Sequence, residues 1–279
     1  MIIVDFHQIM FANIMAQSYK TGTPDHFMVR HMILNALRNI NKTHREEYGS
    51  MVIAVDTGPS WRRAVFPYYK ANRRDHIEKT DFEWEEFFDT VNMVKSEILN
   101  VVPYKVISVE TAEGDDIIGT LTYEFRHTRK ILIISGDKDF IQLHNDNVQQ
   151  FNPVQKKWVV SDVPPQRYLL EHILRGDAGD GIPNILSDDD TFINESKRQN
   201  PLRKSRIRNW GNMDLATDSD LKNFARNSVL IDLTCTPDII KNEIMRIYEE
   251  DPINEIDALE EYLVNNNLKQ LTQAIGDFL

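Results

Sequence analysis

The sequence predicts an α/β protein built on a mostly parallel sheet, followed by a helical C-terminal region. Three observations carry that prediction. Short apolar runs at 2–5, 51–55, 104–109 and 131–135 alternate with longer stretches of helical spacing. The run from Ile131 to Ser135 is apolar on both faces, as expected of a strand buried inside a parallel sheet. Beyond about residue 166 the periodicity is mainly helical.

Residues 2–6 read as a short strand ending in Asp5, and HQIMFANIMAQSY follows with helical spacing. Pro24 and Asp25 start a second helix, with Val29, Ile33, Ala36, Leu37 and Ile40 on one face. The second strand, 51–55, ends at Asp56 and the turn TGPS. Residues 57–80 are polar, basic and aromatic with weak periodicity, and a helix is expected over about 81–99, its acidic first turn matching the helix dipole. After Pro103 come a third strand at 104–109 and a helix in AEGDDIIGTLTYEF, faced by Ile117, Leu121 and Phe125. The central strand 131–135 turns at Gly136 into Asp137, Lys138 and Asp139.

The segment 147–160 predicts two short strands around NPVQ, and Pro164 with Pro165 marks a boundary between units 1–165 and 166–279. YLLEHILRG predicts a short helix stopped by Gly176, and DAGDGIP a loop. Residues 187–212 are polar and charged, with Asp188, Asp189 and Asp190 as a solvated turn or helix start. Three amphipathic helical stretches complete the chain.

With 279 residues, 41% hydrophobic and 27% charged, the chain reads as a soluble globular protein. No apolar run approaches the roughly 20 residues of a membrane span. MIIVDF has no basic n-region, so no signal peptide is expected. One cysteine, Cys235, excludes an internal disulfide and a thiolate zinc cluster and fits the reducing cytoplasm. The net charge of −11 argues against a DNA-coating protein but not against an enzyme acting on nucleic acid, because basic residues are concentrated locally. Five lie between Trp61 and Arg74 and six between Lys197 and Arg208, with no acid in either stretch.

Four strand-to-helix junctions carry acids: Asp5; Asp56; Glu113, Asp115 and Asp116; Asp137 and Asp139. A parallel sheet places these junctions on one edge, where ligands bind in open α/β folds. Any one acid there is equally a helix cap or a solvated turn. Together they repel unless a divalent cation holds them, and oxygen ligands without organised His or Cys suit Mg2+ or Mn2+. Two such ions about 4 Å apart activate a water and stabilise the leaving oxygen of a phosphodiester. In the basic stretch, Lys70 and Arg73 are suited to the phosphate, and Tyr68, Tyr69 or Trp61 to stacking on a base.

These residues resemble the flap endonuclease superfamily of metal-dependent 5′ nucleases, and within it the T-even-type phage ribonucleases H. The motifs are VDF at Asp5, AVD at Asp56, YKANR at 69–73, AEGDDIIGTL at 112–121, SGDKDFIQL at 135–143 and LRGDAGDGIP at 174–183, in family order over most of the chain. The resemblance implies a resolvase-like (PIN-like) domain with a helical arch from 57–100, and a helical C-terminal domain with a helix-turn-helix-type region that grips duplex DNA. It implies Asp5, Asp56, Glu113, Asp115 and Asp137 for a first Mg2+, and Asp139, Asp177 and Asp180 for a second, with Asp116 close to both. Mn2+ is the expected substitute. Asp56 and Asp137 are then catalytic together with Lys70 and Arg73 at the scissile phosphate. Arg62, Arg63, Tyr69, Lys197, Arg198, Arg203, Lys204, Arg206 and Arg208 are implied nucleic-acid contacts. The implied substrates are branched, flap or nicked DNA and RNA/DNA duplex, with a phage single-strand-binding protein and a sliding clamp as partners of a cytoplasmic monomer. The sequence departs from polymerase-associated members after Asp180, where GDAGDGIPNILSDDD lacks their glycine-rich hairpin.

Two other classes are compatible with strand-tip aspartates. A haloacid dehalogenase-type phosphatase uses a DxD on its first strand followed by a small residue; here the DxD is mid-chain and precedes Phe140. A non-catalytic nucleic-acid-binding module has no use for the full set of acids.

Overall fold

The computed structural model describes residues 1–21, 24–73, 84–210, 216–252 and 254–279. The start expected for a helix at Asp81, the arch positions 74–83 and the end of the polar stretch at 211–212 lie outside the described residues.

Six strands form one sheet in the order β3-β2-β1-β4-β5-β6. They are β1 (Ile2–Asp5), β2 (Met51–Val55), β3 (Lys105–Ser108), β4 (Ile131–Ile134), β5 (Val148–Asn152) and β6 (Lys157–Trp158). The first five are parallel, and β6 pairs antiparallel with β5 across the NPVQ turn. The chain builds outward from β1 on one side and then restarts at β4 on the other. The point where strand order reverses therefore lies between β1 and β4, the place where an open α/β sheet forms a crevice.

Alternation along each strand sends side chains to two separate cores. Ile2, Val4, Ile53, Leu132 and Ile134 face one core with helices α1 (Phe6–Thr21), α2 (His26–Tyr48) and α4 (Trp84–Leu99). Ile3, Val52, Ala54, Ile131 and Ile133 face the other with α5 (Gly114–Phe125). All four β4 residues are fully buried, each contributing about 1.5–3 kcal/mol of apolar burial. A one-residue slip of this strand would exchange its two faces, so the register is strongly fixed.

Local signals place the helix starts. Asp25 caps α2 by accepting from the Met28 amide at 3.1 Å. Glu113 and Asp116 form a capping box at the start of α5. Between α2 and α4 lies the one-turn helix α3 (Arg62–Val65).

The C-terminal half begins with α6 (Pro165–Arg175), continues through α7 (Lys204–Arg208), α8 (Asp218–Ile231) and α9 (Asp238–Glu249), and ends with α10 (Ile256–Asn265) and α11 (Lys269–Gln273). It does not keep to itself. Leu259, Leu263, Leu268, Leu271 and Phe278 complete the first core, while Leu233, Ile240 and Ile244 complete the second. Asp277 pairs with Arg38 and Lys42 of α2. The acids at 188–190, expected as a solvated turn or helix start, lie in a turn with Asp188 exposed and are also ion-paired: Asp188 and Asp190 hold Lys197, and Asp189 holds Arg226. Among the described residues, no helix is long and apolar enough to cross a membrane.

Candidate active site

The sheet register brings the acidic junctions to one edge. Val4 is level with Ile134, so Asp5 stands beside Ser135, whose hydroxyl donates to Asp5 Oδ2 at 2.9 Å. The Ser135 hydroxyl also accepts from the Asp137 amide, and Asp137 in turn caps the following 3-10 turn through the Asp139 amide at 2.9 Å. Asp56 follows β2 and accepts from the amide of Gly114, the first residue of α5. A Cβ at that glycine would stand 3.2 Å from the Asp56 carboxylate, so the close approach suits glycine. Asp115, one residue on, faces the same group of acids.

The acids feel one another. Burial, opposed by the Gln8 amide and Ser135 hydroxyl and reinforced by Asp56 and Asp137, pushes the Asp5 carboxyl up to about 6. Burial and then Asp137 push Asp115 well above the carboxylate range. Burial raises Asp139 to about 7, with His172 opposing and Asp137, Asp177 and Asp180 adding to the shift. Such a group has the donors and the excess negative charge that a divalent cation satisfies, so the residues fit the expected metal.

Glu113 and Asp116 play different parts. The Asp116 side chain is fully buried, and both its oxygens are taken. Arg62 grips it at 2.9 and 3.0 Å, while the Trp61 indole, the Thr236 hydroxyl and the Glu113 amide supply the remaining donors. Asp116, expected near both metals, is therefore corrected to a fixed internal anion. Arg62, expected on the nucleic-acid face, is 2% exposed and is corrected to the cation that balances it. Glu113 accepts from Ser60, Arg62, Tyr69 and Lys70. Burial works against its charge, but Lys70 and Arg62 outweigh burial and hold it down to about 2.

Tyr69 also turns inward. At 2% exposure its hydroxyl joins Glu113 to Asp180 at 2.9 and 3.0 Å, which corrects its expected place against nucleic acid. Trp61 is partly buried, with its indole N–H on Asp116 and Arg62 over its ring. Lys70 reaches both Glu113 and, at 3.7 Å, Asp180; Arg73 lies 2.6 Å from Asp180. The two cations expected at the phosphate thus sit on the acids themselves.

His172 of α6 is the residue the sequence reading missed, and it corrects the expectation of a site without organised histidine. It lies between Asp139 (3.5 Å) and Asp177 (3.4 Å), and one ligand atom from each of the three falls within 4.8 Å of the others. The signal was faint: a lone histidine on a short helix, five residues before an aspartate.

Two family models divide the chain between them. Residues 1–167 match the 5′-3′ exonuclease N-terminal resolvase-like domain, and residues 165–278 match the C-terminal domain of T4 RNase H. The ribonuclease H of Enterobacteria phage T4 is 31% identical over 289 aligned positions, covering 99% of this chain and 95% of the relative. The chain belongs to the 5′-3′ exonuclease family.

Within the family, a 5′-3′ exonuclease of Buchnera aphidicola is 27% identical over 55% of this chain and 54% of its own length. The fold matches that of the bacteriophage T5 D15 flap endonuclease, solved in a pseudo-enzyme-product complex with DNA and metal ions. That match has a TM-score of 0.65 at 18% identity and covers 89% of this chain and 99% of the neighbour. The T5 5′-exonuclease solved with zinc matches at a TM-score of 0.62 and 17% identity, over 89% of this chain and 98% of that one.

The basic residues expected to meet nucleic acid separate into two groups. Lys197 is held by Asp188 and Asp190, and Arg206 by Asp220. Arg63, Arg198, Arg203, Lys204 and Arg208 are exposed. This family member therefore presents a sparser cationic surface than its sequence suggests.

Proposed function

We propose that the protein is a Mg2+-dependent, structure-specific 5′ nuclease that removes 5′ flaps and RNA primers in phage DNA replication, with Mn2+ able to substitute. The observation that carries this reading is the convergence of Asp5, Asp56, Asp115 and Asp137 on one sheet edge, with Lys70 and Arg73 beside them. Bound there, divalent ions would supply Lewis-acid activation of water and of the phosphodiester. Asp5, Asp56, Glu113, Asp115 and Asp137 would hold the first ion, and the Asp139, Asp177 and Asp180 cluster a second.

The chain's own residues prepare that edge. Ser135 and Gln8 fix Asp5, Gly114 fixes Asp56, and the Arg62–Asp116 pair anchors the start of α5 beneath Glu113. Lys70 and Arg73, released from Glu113 and Asp180 by a bound cation, would orient the phosphate and offset its developing charge. Residues 1–165 would form the catalytic unit and 166–279 the duplex-gripping unit, with Arg198, Arg203, Lys204 and Arg208 on the DNA backbone. The enzyme would act as a cytoplasmic monomer on flap or nicked DNA and RNA/DNA duplexes, alongside a single-strand-binding protein and a sliding clamp.

The test is cleavage of a 5′-flap substrate with Mg2+, comparing wild type and Asp137→Asn. Loss of cleavage with DNA binding retained supports the reading; full activity in the variant overturns it.

A further inference from the structure

The structure assigns His172 as a nitrogen ligand of the second metal position, and makes that position selective for transition-metal dications such as Mn2+ over Mg2+. This deepens the proposed function and rests on it. Asp177 is held by its own loop. Its Oδ1 accepts from the Gly179 and Asp180 amides at 2.7 and 3.1 Å, and its backbone pairs both ways with Ile182. Its remaining oxygen, Oδ2, faces His172 Nε2 at 3.4 Å. Asp177 is thus engaged on both oxygens, and its loop is closed around it.

A carboxylate in that place sets the imidazole tautomer. In the neutral ring, with the proton on Nε2 directed to Asp177, the other ring nitrogen, Nδ1, carries a lone pair. That atom is buried and has no hydrogen-bond partner. It faces Asp139 Oδ1, another electron-pair donor, at 3.5 Å. Two electron-pair donors turned on each other in a half-buried site call for a proton or a metal cation between them, and a bound metal ion takes the proton's place. Donors about 2.0–2.2 Å from a shared ion stand about 3 to 4.3 Å apart, which brackets this separation.

The resulting chain of Asp177, His172 and metal is the carboxylate–histidine–metal arrangement that orients a ligating ring and raises its basicity. Asp177, grouped above with the second ion, then acts on it through His172 as a positioning residue, while Asp139 and His172 touch the ion. Imidazole nitrogen favours transition metals, whereas Mg2+ prefers oxygen ligands and water. The first position draws on carboxylates; His7 pairs with Asp56 there at 3.3 Å, but its ring is half exposed.

The experiment titrates Mn2+ and Mg2+ separately into the metal-free full chain, wild type and His172→Gln, by calorimetry, with pulsed electron paramagnetic resonance on the Mn2+ samples. The wild type should bind one Mn2+ at least about tenfold more tightly than Mg2+, with directly coordinated nitrogen in its spectrum. His172→Gln, confirmed as folded by circular dichroism, should lose the nitrogen coupling and that preference while Mg2+ binding changes by less than about threefold. Mn2+ binding without nitrogen coupling in the wild type, or coupling that persists in His172→Gln, overturns the assignment but leaves the two-position metal site standing. No binding of either ion overturns the metal-dependent reading as well. The wild-type spectrum decides the question even if the variant does not fold.

Discussion

Arg62 and Lys70 lie eight positions apart in one basic stretch, yet they face different environments. Arg62 is sealed between Asp116, Glu113 and the Leu230 carbonyl, where removing one partner leaves a buried charge unbalanced. Arg62→Ala should therefore cost about 3–5 kcal/mol of stability, read as a fall in the melting midpoint. Lys70 takes a left-handed backbone conformation (φ 56°), unusual for a side-chain-bearing residue, and this turns its ammonium onto the acids. If it acts on the transition state, Lys70→Ala should lower kcat by at least about 100-fold while KM changes less than about threefold, measured on a flap substrate. The sequence reading put Lys70 at the phosphate and Arg62 among the implied nucleic-acid contacts. It did not separate them, because the difference lies in Asp116 and Leu230, which reach Arg62 from other parts of the chain.

At the scale of elements, the strands and most helices were legible because each carries a local signal. Ile131–Ile134 is apolar throughout, Asp25 announces α2, and Gly176 stops α6. Gly176 has φ 65°, and a Cβ there would stand 2.3 Å from the Ile182 carbonyl oxygen and 2.6 Å from Pro183. Gly176→Ala should destabilise the protein by more than about 1 kcal/mol in thermal melts. It should also reduce cleavage, because the displaced loop carries Asp177 and Asp180. The segment 187–210 was less legible. Its acids read as solvated, since nothing local shows that Lys197 and Arg226 fold back to meet them.

For the whole molecule, the crowded acids make stability depend on pH and metal together. Asp5 rises from 3.8 to about 6 and Asp139 from 3.8 to about 7, so in this range the folded state holds more protons than the unfolded one. Their contribution to stability is therefore lost as pH rises from about 4 to about 7. Glu113 acts in the opposite sense: its pKa falls from 4.5 to about 2, so its contribution is present above the unfolded value and lost as pH falls toward 2. With respect to these groups, the metal-free protein should be most stable at about pH 4. A bound dication requires ionised carboxylates, so Mg2+ should raise the melting midpoint more at pH 8 than at pH 5. Melts in chelator and in Mg2+ at the two pH values check this. An equal shift at both would mean that the ion does not engage these acids.

The sequence by itself determined the parallel sheet, its strands and the four acidic junctions, because apolar periodicity and strand-end residues act over a few neighbouring positions. Tertiary structure alone decided which acids are free to meet a cation and which are already balanced. Asp115 and Asp116 are adjacent in the chain, but helical geometry turns one toward the acidic edge and the other into the grip of Arg62. It also decided that His172 joins Asp139 and that residues 256–278 close the first core. Burial and pairing are set by residues far away in sequence, and no local pattern encodes them.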